Sequence, residues 1–370
     1  MSASTYTNNN HSFVVQSALS AYSDEAYTNA RTIVNTGIVS GNSQIDKNTE
    51  TYVGQLRWRR PINPVINVGS ATDATDGDLT TTSSGLLSYV KTIRTLGMNE
   101  VNVDSILTQE GALAKLARDF VQLRTQDESN ALISVIKGVC HAEAKAGTGT
   151  GGLGGQTFSN DPTNAKYGFY VDLGTSKLVG AASASAQGAQ RAEGFLNAIG
   201  MAWKDYELPY YYLLTNPETL ASLRSANLID EDRITDGDIE FQTLFQGKFR
   251  LILTRGVKGL STTELTALNA GAGVDIVGKK TTVIIAPGAI ARENLTVPLP
   301  FEVERKASSY HGTGDTTVWH RWGYILHPAG YNWAGATNAF PADSAYEASS
   351  AFTRQASSAL TLGILPIFHD

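Results

Sequence analysis

The sequence has very little cysteine and no long apolar run. Its single cysteine, Cys140, excludes an intramolecular disulfide and any cysteine-rich metal site, and we expect an inert core thiol. No apolar stretch approaches the ~18 residues of a membrane span, so no membrane contact is expected. The formal net charge of -6 excludes a generally basic nucleic-acid-binding protein. The N-terminal segment lacks the basic start and apolar stretch of a secretory signal, which predicts a protein made in the cytoplasm.

Recognisable catalytic motifs are also missing. G-x-S-x-G, H-E-x-x-H and the phosphate-binding loop do not occur. Residues 147–152 fit G-x-G-x-x-G, but a dinucleotide site needs a strand before the glycines and a helix after them. Here a helical pattern precedes and a turn-rich segment follows, and Leu153 stands where a phosphate-binding loop requires lysine. We therefore interpret Gly147 to Gly155 as a flexible connector and expect no cofactor.

Two groups of side chains resemble metal sites without meeting their requirements. His320 and His327 lie seven residues apart on a predicted strand, which places them on opposite faces, so these residues and His311 are predicted to be packed or interfacial. An acidic run lacks the ligand spacing of a calcium loop and is interpreted as a solvated connector. It comprises Asp230, Glu231, Asp232, Asp236, Asp238 and Glu240.

The region from residue 46 to residue 104 predicts a long hairpin. Two extended runs, residues 50–68 and 85–103, flank a polar tip rich in Asp, Thr and Gly. A long hairpin is not stable alone, so the pattern implies a partner surface. The densest basic and aromatic cluster of the chain lies at its start, and it consists of Arg57, Trp58, Arg59 and Arg60. Three roles stay open for it: ion pairs with a neighbouring subunit, charge protection of a β-edge, and contact with nucleic acid.

The remaining chain predicts a long helix followed by an α/β pattern. Apolar residues at spacings of three and four predict a helix over residues 105–145, with a break or bend at the polar stretch 124–130. Asn216 and Pro217 predict the start of a second helix. The other predicted elements are a helix at 187–205, strands at 208–216, 247–257 and 280–291, a long aromatic strand at 316–333, and a helix at 342–355.

The order of these elements resembles the major capsid proteins of tailed bacteriophages, which have the Hong Kong 97-type fold. The resemblance covers about residues 46–335, and its specific part is the C-terminal half. There a strand enters a helix that ends in Leu228-Ile229-Asp230, and a glycine-led strand follows. The turn Pro287-Gly288-Ala289-Ile290 comes next, and then a strand with Arg321-Trp322-Gly323 and His327-Pro328-Ala329-Gly330.

This resemblance implies an α+β protein with an N-terminal arm, an extended β-hairpin loop, a long spine helix, a peripheral domain and an α/β axial domain. A C-terminal tail has no counterpart in it. The implied boundaries are 1–45 for the arm, 46–104 for the extended loop and a peripheral strand, 105–193 for the spine helix and peripheral domain, 194–298 for the axial domain, 299–335 for the returning peripheral strand and 336–370 for the tail.

The function implied by the resemblance is a structural, non-enzymatic one. Identical copies would form hexamers and pentamers of an icosahedral head shell around double-stranded DNA, made in a bacterial host cytoplasm and located in the virion. The short N-terminal arm implies a separate scaffolding protein; a portal is also implied, and a decoration protein is left open. The DNA would be near the shell without specific contacts. Two alternatives stay open: an encapsulin-like protein compartment, and an α/β enzyme built on Glu304, His320 and Arg321.

Overall fold

The computed structural model describes most of the elements that the sequence predicts. It describes residues 33–59, 84–101, 112–146, 171–172, 208–225, 228–236, 239–244, 246–253, 280–306, 315–355 and 362–369. Together they form an α+β fold, as predicted. The predicted helix at 187–205, the connector Gly147 to Gly155, the hairpin tip, Arg60 and His311 lie outside the described residues.

The described elements are sixteen strands, three α-helices and one 3-10 turn. The helices are α1 (Ala112–Ala146), α2 (Pro217–Ser225) and α3 (Asp343–Glu347), and a single 3-10 turn spans Ile33–Asn35. The strands are β1 (Val39–Ser40), β2 (Val53–Arg59), β3 (Ser84–Val90), β4 (Thr92–Val101), β5 (Val171–Asp172), β6 (Tyr211–Thr215), β7 (Ile229–Asp236), β8 (Ile239–Leu244), β9 (Phe249–Leu253), β10 (Lys280–Ile285), β11 (Ile290–Asn294), β12 (Phe301–Lys306), β13 (Asp315–Pro328), β14 (Tyr331–Trp333), β15 (Phe352–Arg354) and β16 (Ile364–His369).

The first sheet is built around β13, the long aromatic strand of the sequence. One edge of β13 pairs with β4 from Asp315 to Tyr324, and the other edge pairs with β12 and then with β11. Strand β1 joins β11 in parallel. Residues 322–328 are all buried, so this strand is covered on both faces, as expected for a run with aromatic residues on both sides.

The second sheet has seven strands in the order β5-β16-β10-β6-β9-β8-β7. Strands β6, β9 and β10 lie where the apolar runs predict them. Two strands come from outside residues 194–298: β5 precedes this range, and β16 follows it near residue 369. Within the range, β11 leaves this sheet and pairs in the first one.

Helix α1 is the predicted long helix, and it packs along one side of the first sheet. Val135, Ile136 and Val139 are fully buried in the core cluster that also contains residues of both sheets. The expected break at residues 124–130 is wrong, because the helix runs unbroken through them. The polar side chains that interrupt the apolar stripe are used for docking, as described below, and they do not end the helix.

Two local sequence signals are confirmed at atomic detail. The Oδ1 atom of Asn216 accepts a hydrogen bond from the main-chain N–H of Thr219 at 2.7 Å, which caps α2 as predicted. Between β10 and β11 the chain turns at Gly288, whose φ of +69° is strained for a residue with a side chain.

Three expectations are wrong in detail. The described residues of the acidic run lie on an antiparallel pair, β7 and β8, in which Ile234 is opposite Phe241 and gives the pair an apolar side, whereas Asp238 lies outside the described residues. The predicted helix at 342–355 is the short α3 followed by β15. The second run of the predicted hairpin is divided at Lys91, where the chain leaves β3 and enters β4 of the first sheet.

Candidate inter-subunit surface

The hairpin predicted from residues 46–104 is present as the pair β2 and β3. Its antiparallel register runs from Val53 opposite Val90 to Arg59 opposite Ser84. Within the described residues these two strands form a separate two-stranded sheet. The hairpin is therefore held to the fold by side chains and by its base, and residues 60–83 between its strands lie outside the described residues.

The two faces of this hairpin have different chemistry. Leu56, Leu87 and Tyr89 are buried in a small core with Ile45, Leu295 and Ile325. Arg57 lies on the opposite side and is exposed, and its cross-strand partner Leu86 is 56% exposed. An exposed leucine beside an exposed arginine on one face is a surface that another protein can cover.

Of the predicted cluster, Arg57, Trp58 and Arg59 lie on β2 as expected. Of these three side chains, the structure describes only that of Arg57. Arg60 lies outside the described residues. Arg57 has no ion-pair partner among the residues that the structure describes, which leaves its guanidinium free for an intermolecular contact. The role of the cluster stays a prediction.

The base of the hairpin is fastened by a buried lysine. The Lys91 side chain is 0% exposed, and its ammonium group donates to the Asp46 carboxylate at 3.1 Å, to the main-chain oxygen of Asn48 and to the Thr51 hydroxyl at 3.2 Å. Contacts from Lys91 and Asn48 hold the pKa of Asp46 below its usual value, with the Asn48 main-chain N–H as the larger cause. A buried ammonium is costly unless it is paired in this way, so Lys91 fixes the segment before β2 against the junction of β3 and β4.

A second contact fixes the same junction. The main-chain N–H of Asp46 donates to the Tyr89 hydroxyl at 2.8 Å. On the neighbouring strand, a β-carbon at Gly54 would overlap the Tyr89 ring, so this position requires glycine for steric reasons. Sequence reasoning missed Lys91, Tyr89 and Gly54, and only the absence of a charge partner near Lys91 in the sequence could have drawn attention to it.

The predicted long helix carries Glu110, Asp119 and Asp127 as acidic partners that the sequence offers for these arginines, and Asp127 proves unavailable. Asp127 is already engaged: its carboxylate accepts from Trp322 Nε1 at 3.0 Å and from the Tyr324 hydroxyl at 3.1 Å, and it pairs with Arg94 at 3.4 Å. Burial raises the pKa of this carboxyl group. Asp119 is partly exposed on α1, whereas Glu110 lies outside the described residues.

The polar stretch 124–130 therefore docks α1 on the first sheet. Besides Asp127, the buried Glu128 pairs with Arg124 at 3.2 Å and with Arg292 of β11 at 2.8 Å. A carboxylate with two guanidinium partners is compensated for its burial. These contacts explain why polar residues interrupt the apolar stripe without ending the helix.

The two described histidines of β13 are packed side chains, as predicted. His320 stacks on Phe301 and on Trp322, with ring centroids 4.3 and 5.0 Å away, on the α1 side of the sheet. His327 faces Tyr89 on the hairpin side, so the predicted opposite faces are confirmed. Burial lowers the pKa of each to about 4. Among the described residues no group of three metal-ligating side chains occurs.

The residues considered for an enzyme site do not converge. His320 is buried toward α1, and Arg321, which follows it on β13, pairs with Glu302 at 2.7 Å on the exposed side. Glu304 lies opposite Thr317 on β12 and is exposed. A general base and its partners must lie within hydrogen-bond reach of one reacting group, and these three do not.

Residues after 336 have no counterpart in the sequence resemblance. In the structure they contact both the first sheet and helix α1. The Arg94 guanidinium donates to the main-chain oxygen of Pro341 and to Asp343, each at 2.7 Å. Glu347 accepts from Ser134 at 3.0 Å and from Lys137 at 3.2 Å on α1. This segment is therefore a structural part of the subunit surface.

Comparison with known proteins gives structural likenesses only. The chain is similar to the asymmetric unit of the bacteriophage PhiM1 mature capsid, with 9% identity, a TM-score of 0.48, and coverage of 92% of this chain and 87% of that chain. The capsid of Ralstonia phage GP4 is 11% identical with a TM-score of 0.45, and the match covers 90% of this chain and 88% of that chain. The capsid of Cyanophage P-SCSP1u is 10% identical with a TM-score of 0.44, and the match covers 92% of this chain and 93% of that chain. No family model and no curated protein sequence matches the chain.

The described helices were also compared with the dimensions of a lipid bilayer. None of them combines the length and the apolar character that crossing a membrane requires. Helix α1 is long enough, but it carries charged residues throughout, including Arg124, Asp127 and Glu128.

Proposed function

We propose that this chain is the major capsid protein of a tailed bacteriophage. In this role identical copies close into an icosahedral head shell around double-stranded DNA. The observation that carries the proposal is the hairpin of β2 and β3. It joins no other sheet within the described residues, its base is anchored by buried Lys91, and it presents Arg57 and Leu86 on an exposed face.

The assignment of parts follows the proposed fold. Residues 1–45 are the arm, 46–104 the extended loop with a peripheral strand, and 105–193 the spine helix and peripheral domain. Residues 194–298 make the axial domain, 299–335 the returning peripheral strand and 336–370 the tail. Support comes from α1 packed on β13 and from strands β6 to β10, which lie in one sheet within 194–298. Strands β5 and β16 join that sheet from outside this range, and β11 leaves it for the first sheet.

The hairpin is the part that reaches a neighbour. Its basic residues Arg57, Arg59 and Arg60 pair with carboxylates of an adjacent copy, and Asp119 on α1 is an available acceptor. Guanidinium groups form bidentate pairs with carboxylates, which adds geometric specificity to each contact. Trp58, which by strand alternation shares the face of Arg60, is the fourth candidate contact.

The protein acts through assembly and carries out no reaction of its own. Hexamers and pentamers of the chain form the shell in the virion, after synthesis in the cytoplasm of the bacterial host, with help from a separate scaffolding protein and a portal. A mildly acidic chain suits this role, because a strongly basic lining would bind the genome and hinder its packing and release.

Electron microscopy and sedimentation of the purified chain test the proposal. The expected result is closed shells or capsomers as the concentration rises, or when a scaffolding protein is co-expressed. A chain that stays a compact monomer under all these conditions contradicts it. Shells that hold a protein cargo in cells and never package DNA would support the encapsulin-like compartment in its place.

A further inference from the structure

The loop between β11 and β12 combines backbone strain with an exposed apolar side chain. Leu299 has a φ of +52°, and among the described residues it and Gln246 are the non-glycine residues with positive φ. Leu299 is also 66% exposed, the largest value among the large apolar side chains described. A leucine in this backbone region is strained and gains little from the core, so a contact outside the subunit is the interaction that would compensate it.

The strained geometry is held by several contacts on either side. Leu299 stands between Pro298 and Pro300, and a residue before proline normally adopts an extended conformation. The Pro300 carbonyl accepts from the Arg321 main-chain N–H at 2.8 Å, and the Leu299 carbonyl accepts from Arg321 Nη1 at 3.4 Å. The next residue, Phe301, is buried against Phe120 and His320. The backbone is therefore pinned while the Leu299 side chain is directed outward.

Charges of both signs lie next to this loop. Glu302 is half exposed and pairs with Arg321 at 2.7 Å, on the residues adjacent to the loop. An apolar centre with one carboxylate and one guanidinium beside it is self-complementary, because the acid of one copy can meet the base of another. A partner of a single charge sign would repel one of the two groups.

We propose that the patch of Leu299, Glu302 and Arg321 is a contact between copies of this chain, in which Leu299 of one copy packs against the same patch of a second copy. This inference rests on the proposed assembly into shells. It adds a second interface, separate from the arginine-bearing hairpin. The strain keeps the apolar side chain in the exposed position before assembly, which lowers the ordering cost of the contact.

The substitution Leu299→Gly separates assembly from folding. Glycine accepts positive φ without strain, so the isolated subunit should melt at an unchanged or higher temperature. Shell assembly should require at least about tenfold more protein, which corresponds to about 1.4 kcal/mol per subunit. Gln246→Gly is the matched control, because it relieves the same kind of strain at an exposed position without removing an apolar side chain. It should leave assembly unchanged.

A cysteine at the same position tests the identity of the partner. The native cysteine, Cys140, is buried, so Leu299→Cys adds the reactive thiol. In assembled shells a short bis-maleimide should join copies through this residue, and the unmodified chain should give no such product.

Normal assembly of Leu299→Gly overturns the inference, as does equal loss of assembly in Gln246→Gly. Shells of Leu299→Cys that give no cross-link also overturn it. Failure of the unmodified chain to assemble under any condition is a different result, because it contradicts the proposed function itself.

Discussion

Gly138 of helix α1 and Tyr346 of helix α3 are in such close contact that a β-carbon at position 138 would overlap the main-chain oxygen of Tyr346. The glycine lets the segment after residue 336 lie directly on the long helix. There the hydroxyl of Tyr346 forms a hydrogen bond with that of Thr92, and His141 Nδ1 donates to the Glu347 carbonyl. The long helix and this segment therefore form one packed unit.

The first prediction concerns this contact. Gly138→Ala should lower the free energy of unfolding of the subunit by about 1–3 kcal/mol, because the clash is with main chain that cannot rotate away. Helix propensity alone would favour alanine by ~1 kcal/mol, so the two effects oppose each other. Urea unfolding measures the result. Asn130→Ala, at an exposed position of the same helix, should be neutral or slightly stabilising. A stabilised Gly138→Ala protein would contradict the close packing.

The second prediction concerns the buried lysine at the base of the hairpin. Lys91→Met keeps the apolar stem but removes the ammonium group from Asp46, Asn48 and Thr51, and should cost about 1–3 kcal/mol locally. Hydrogen exchange should become faster for the amides of β2 and β3. The amides of β9, in the other sheet, serve as the internal control and should not change. Equal acceleration in both sheets would show that Lys91 supports the whole fold and has no special role at the hairpin.

The third prediction concerns pH. Burial lowers the pKa of His327 from 6.5 in the unfolded chain to about 4, so the unfolded state binds the proton more readily. The contribution of His327 to the free energy of unfolding is therefore fully present above pH ~6.5. It is lost as the pH falls toward 4, by up to about 1.4 kcal/mol per pH unit. His327→Gln should flatten the dependence of the melting temperature on pH between 6.5 and 4.5. An unchanged slope would mean that His327 is not protonated on unfolding.

The fourth prediction concerns the arginines of the hairpin. Arg57→Glu combined with Arg59→Glu should leave the subunit folded and block closed shells, because attraction at every copy becomes repulsion. Circular dichroism and thermal melting follow the subunit, and sedimentation with electron microscopy follows the particle. Arg57→Lys with Arg59→Lys keeps the charge and should still assemble, with lower yield because the bidentate fork is lost.

Three other outcomes of that experiment have separate meanings. Normal shells from the glutamate variant would show that the arginines only protect a β-edge. Loss of folding would place them in the core, which the exposure of Arg57 argues against. Shells that form but fail to retain DNA would identify the genome as their partner.

Local sequence patterns predicted the helices and strands well, but they did not predict which strands pair with one another. The apolar runs at 208–216 and 280–291, and the cap at Asn216, have local causes, so their strands and helix could be predicted. The pairing of β16 with β10 could not, because about 80 residues separate the strands and no local signal encodes a distant partner. The change of sheet at Lys91 was missed for the same reason, since its cause is a set of contacts to residues 46–51.

At the candidate inter-subunit surface, too, local features could be predicted and contacts between distant residues could not. The basic cluster could be found by composition, and strand alternation predicts that Arg57 and Arg59 share one face, but only the structure shows that Arg57 is exposed. Asp127 was a reasonable acceptor on sequence grounds, but Trp322, Tyr324 and Arg94 surround it only after folding. The strain at Leu299 has no sequence signal beyond its two flanking prolines.

Because β16 lies inside its sheet, the sheet can be completed only at the end of translation. A ribosome makes this strand after every other strand of the sheet, yet it lies between β5 and β10. Until residues 364–369 have emerged, β10 exposes the edge that β16 will cover, along six residues of register. A nascent chain therefore holds an incomplete sheet, and only a subunit translated past this strand has the finished surface that the proposed assembly requires.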